Sequence, residues 1–106
     1  MGIHYDNGLG LLYGKEIDKP ITKVNYQLIE TDPTKYTRKK WWGEFSTSKE
    51  IKRAGNYIIE LEDGRKGECV IFTNNELKQG RGSQYFYHFN GRSALGRLLS
   101  NREQRL

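Results

Sequence analysis

From Lys23 to Leu28 the chain reads polar, apolar, polar, apolar, polar, apolar. A period of two puts Val24, Tyr26 and Leu28 on one side of an extended strand, so this stretch is predicted as a half-buried β element. Residues 9–13, closed by Gly14, form a shorter strand candidate before it, and Pro20 biases the chain between them toward extended geometry. Asp32-Pro33 marks a turn. The aromatic-rich stretch 40–45 is a third candidate. Stretches 57–62 and 68–73 flank Asp63-Gly64, the strongest hairpin signal in the chain. The first arm alternates, whereas the second is apolar on both faces from Cys69 to Phe72, as expected of a central strand. A last strand is predicted over 84–89, after a Gly-rich loop at 79–83.

Two stretches carry helical signals. Thr47-Ser48-Lys49-Glu50 has capping-box spacing and Gly55 supplies a stop, which predicts a short helix near 48–54 packed through Ile51 and Ala54. Leu95, Leu98 and Leu99 fall at i, i+3 and i+4, with Leu106 further along the same face. An amphipathic C-terminal helix near 93–104 follows, although Gly96 weakens it. The expected fold is mainly β: a single domain over 1–106, built as a small antiparallel β-barrel of about six strands, OB-like or SH3-like. Its first six elements follow the order of an OB-fold, with a helix between the third and fourth strands. That likeness is architectural and carries no motif.

Composition narrows the picture. With 106 residues there is room for one domain. Two alanines against twelve glycines suit strands and tight turns better than long helices. Thirteen aromatic residues compensate for a modest aliphatic content, since each buries roughly 150–250 Å². A coiled coil, a multi-domain enzyme and a disulfide scaffold are excluded. Cys69 is the only cysteine, and the leading residues lack both the basic start and the apolar run of a signal peptide. A cytoplasmic location and no membrane association are expected; oligomeric state is left open.

Charge is unevenly placed. The net +5 divides into −2 over 1–34, +4 over 35–67 and +3 over 68–106. A basic middle and end can attract phosphate backbones or an acidic protein partner, or simply keep the chain in solution.

Candidate chemistry is sparse. Cys69 and His88 could form a nucleophile–base pair only if their strands bring them together, and a thiol in so apolar a strand is normally inert. Glu60, Glu62, Asp63 and Glu68 cluster around one hairpin but read as a solvated face. Gly80-Arg81-Gly82 and Gly91-Arg92-Ser93 could hold an anion, yet ordinary loop and capping roles explain both. No catalytic group, metal site or cofactor is expected.

The most informative stretch is 35–42, where Lys35, Arg38, Lys39 and Lys40 lie among Tyr36, Trp41 and Trp42. Adjacent strand residues face opposite sides, so Trp41 and Trp42 cannot share one core. Proteins that bind single-stranded nucleic acid combine cations along the phosphates with aromatic platforms for the bases. The expected function is therefore a non-enzymatic binding module for single-stranded nucleic acid. Tyr36, Arg38, Lys39, Lys40 and Trp41 would form its face, extended by Arg81, Tyr85 and Tyr87 if the strands pair. On the competing structural reading, Trp42 and Phe45 pack inside and the lysines solvate a loop. The alternative function is a protein-interaction or assembly module, because Trp, Tyr and Arg are also the favoured anchors of protein interfaces.

Overall fold

The computed structural model describes residues 2–72 and 84–96. Six strands are present: β1 (Ile3–Gly14), β2 (Pro20–Thr31), β3 (Trp41–Thr47), β4 (Gly55–Glu60), β5 (Lys66–Phe72) and β6 (Tyr85–Gly91). They close into an antiparallel barrel in the order β1-β2-β3-β6-β5-β4, with β4 returning to β1. Strands β4, β5 and β6 form consecutive antiparallel neighbours and β3 lies beside β6, the connectivity of a Greek key. Closure pairs β4 with β1 over Leu11–Gly14, so among the described residues paired strands ring the core.

The alternation seen in the sequence is what fills the barrel. Val24, Tyr26 and Leu28 of β2 each point inward and are buried. The register carries the same parity into β3 through Tyr26↔Phe45, and into β6 through Phe45↔Tyr87. Phe45 lies between Tyr87 and Phe89, with ring centroids 5.6 and 6.0 Å away. Leu12, Ile59, Cys69 and Ile71 complete the interior. Burial of each large side chain of this kind contributes roughly 1.5–3 kcal/mol.

Asp63-Gly64 does make the β4–β5 turn. The Gly64 N–H donates to the Leu61 carbonyl, and Leu61 and Arg65 pair beyond it. Gly64 has φ +96°, a left-handed conformation that strains any residue with a Cβ.

The helix expected over 48–54 is absent; those residues form an irregular connection. Its intended cap, Thr47, is buried in the sheet, where its hydroxyl donates to the Lys23 carbonyl and meets the Thr22 hydroxyl. Ile51 instead packs into the core, its N–H donating to the Tyr87 hydroxyl at 2.7 Å. The C-terminal helix is also absent where it can be followed. Residues 93–96 hold no helical turn, and Gly96 forms an isolated bridge with Lys66. The remainder of that stretch, from 97 to 104, lies outside the described residues.

Candidate nucleic-acid interface

The loop from β2 to β3 is short of apolar residues and is held by its own polar groups. At its base the Thr31 N–H donates to the Lys40 carbonyl, while the Lys40 N–H donates to the Thr31 hydroxyl. At its tip the Thr34 hydroxyl accepts from the N–H groups of Tyr36 and Thr37. This turn leaves Tyr36 88% exposed.

Trp41 is where the structure departs most from the sequence reading. It faces into the barrel, 5% exposed, and its indole N–H donates to the Ser93 carbonyl at 2.7 Å. The ring lies directly on the backbones of Gly91 and Gly67 and packs against Phe89. A base cannot stack on it. Trp42 is the half-buried outward tryptophan. The pairing of Trp42 with Phe45 inside is equally excluded, because an odd spacing along one strand puts them on opposite faces. Tyr87 is also removed from any surface role, at 1% exposure, and Tyr85 is half-buried against the core. Arg81 lies outside the described residues.

Where β3 begins and β6 ends, Arg38, Lys39, Lys40, Trp42 and Arg92 border a cleft of about 590 Å³ floored by Trp41 and Gly91. Lys39 does not offer its charge freely, since its ammonium lies 3.0 Å from the Glu30 carboxylate. Arg65 holds the other carboxylate oxygen of Glu30 at 3.1 Å. Burial pushes the Glu30 carboxyl upward, but hydrogen bonds and charge from Lys39 and Arg65 outweigh it and hold the group below its ordinary value. The side chains of Arg38, Lys40 and Arg92 have no ion-pair partner among the described residues. Arg92 was missed by the binding-face reading because it joins the cleft only through the pairing of Trp42 with Asn90.

The remaining candidates separate. Cys69 points into the barrel and His88 out of it, so they stand on opposite faces of the wall. Burial pushes the Cys69 thiol up to about 12, far from a reactive thiolate. Around the hairpin, Glu60 accepts a hydrogen bond from the Tyr13 hydroxyl and Glu62 one from the Leu9 N–H. After Gly91, the amides of Arg92 and Ser93 both donate to the Glu68 carbonyl, which leaves them unavailable to an anion.

Comparison with known protein families, curated proteins and solved structures finds no match in any of the three.

Proposed function

We propose that this barrel binds single-stranded nucleic acid, with the backbone phosphates over the cleft between the β2–β3 loop and the end of β6. One observation carries the reading. Arg38 and Lys40 arrive from one loop and Arg92 from another, and all three border one cleft beside the outward ring of Trp42. Cations supply attraction to phosphate, and an accessible indole supplies a stacking surface for a base. The test is a titration of the protein with eight-nucleotide single strands at about 20 mM salt, followed by tryptophan fluorescence. Quenching that weakens steeply as salt rises is expected. Absence of binding at the lowest salt would sink the proposal.

A second reading, a protein-docking module, draws support from β1. Its pairing with β4 covers only Leu11–Gly14, and residues 3–10 of β1, ahead of that pairing, carry the exposed Ile3, Tyr5 and Leu9. Light scattering distinguishes the two: self-association through this strand would double the mass, whereas the nucleic-acid reading requires no change.

A further inference from the structure

We infer that the groove between Tyr5 and Trp42 on the outer barrel face is a subsite for one unpaired nucleobase, with guanine preferred. The inference rests on the nucleic-acid reading and names what that surface would recognise. The register pairs Tyr5 with Ile29 and Ile29 with Trp42, so the three side chains form one outward row across β1, β2 and β3. Strands lie about 4.8 Å apart, which separates the Tyr5 and Trp42 backbones by roughly 10 Å. A flat base held between two rings needs them about 7 Å apart, twice the optimal carbon–carbon separation of about 3.5 Å. Tyr5 and Trp42 side chains that lean toward each other from that backbone spacing can close to the required distance, with Ile29 between them. The groove has a volume of about 460 Å³. Tyr5 is 76% exposed and its ring has no aromatic partner among the described residues, so the ring is available for stacking.

The next outward row supplies polar groups. Gln27 pairs with Glu44 and Glu44 with His88, and all three line the groove. The Glu44 carboxylate is half exposed, with the His88 imidazole 4.0 Å away. A carboxylate is an acceptor with two parallel oxygens. Guanine alone among the common bases presents two adjacent donors, N1–H and the N2 amino group, on its Watson–Crick edge. Adenine and cytosine place a ring-nitrogen acceptor beside their amino group, and uracil flanks its single N–H with two carbonyls. Each of those would set lone pairs against the carboxylate. Trp42 borders both this groove and the basic cleft, so a base seated here keeps its phosphates near Lys40 and Arg92.

The test compares two eight-nucleotide RNAs, all uridine and the same strand with one central guanosine, binding to the full chain at low salt. The guanosine strand is expected to bind about tenfold more tightly, the discrimination of a good bidentate contact. Glu44→Gln should abolish that tenfold difference, because the amide has one acceptor oxygen where the carboxylate has two and no longer sets lone pairs against uracil. Tyr5→Ala should weaken guanosine-strand binding at least fivefold, and an unchanged thermal melt would show that both variants remain folded. Equal, salt-dependent binding of the two strands overturns the guanine subsite and leaves the nucleic-acid reading standing. No binding of either strand overturns both. A Tyr5→Ala protein that changes mass in light scattering but not strand affinity also overturns the subsite and assigns the groove to protein docking.

Discussion

Trp41 and Trp42 are neighbours in the chain and lie on opposite sides of the barrel wall. What lets Trp41 turn inward is the absence of side chains on the strands beside it. A methyl group on Gly91 would overlap the indole, and one on Gly67 would sit 2.7 Å from it. Gly91→Ala is therefore expected to destabilise the fold by about 1–3 kcal/mol through overpacking. Urea unfolding measures it; a midpoint equal to wild type would contradict the placement of the ring. The two-residue period guarantees that one tryptophan faces out, but it does not say which. That choice belongs to glycines on β5 and β6, which come into register only once the barrel closes.

The end of β2, the β2–β3 loop and the β4–β5 hairpin meet at Glu30, which joins Lys39 to Arg65. Here the sign of the pH dependence is set by a depressed carboxyl. Glu30 is held below its ordinary value of 4.5, so it stabilises the folded state above that pH. The contribution disappears as pH falls through the lower folded-state value, where the folded carboxyl finally takes its proton. Glu30→Gln mimics the protonated group. Thermal melts should show the variant less stable than wild type at pH 7, with the gap closing as pH drops below 4.5; a gap independent of pH would refute the assignment. At this scale the strands are legible: about six are expected and six are found, although β1 and β2 run well past the expected stretches 9–13 and 23–28. The helix over 48–54 was misread because a capping box is a local signal. Thr47 instead answers to Thr22 and Lys23 on the neighbouring strand, and Ile51 to the hydroxyl of Tyr87.

Over the whole molecule, the positive charge of the middle and end of the sequence is partly spent internally. Lys39 and Arg65 neutralise Glu30, and Arg65 also meets the Asp63 carboxylate at 3.0 Å. What remains over the cleft is Arg38, Lys40 and Arg92. If all three face phosphates, log affinity should fall with log salt at a slope of about −2, from roughly 0.7 per phosphate on single strands. Replacing Lys40 or Arg92 with Ala should each reduce that slope by about 0.7, whatever the sequence of the strand. A slope unchanged in both variants would move the phosphates elsewhere.

The sequence by itself determined that this is a small, mainly β chain with an aromatic core, because strand alternation and turn residues act over a few neighbours and survive in any context that buries one face. It also pointed to 35–42 as the stretch richest in charge and aromatics. Tertiary structure alone decided which of those residues reach the surface. Trp41 bonds Ser93 across 52 residues, and Arg92 joins Arg38 and Lys40 only because β6 pairs with β3. Local periodicity does not encode such pairings: they follow from how six strands must be ordered for one set of faces to close around a shared core.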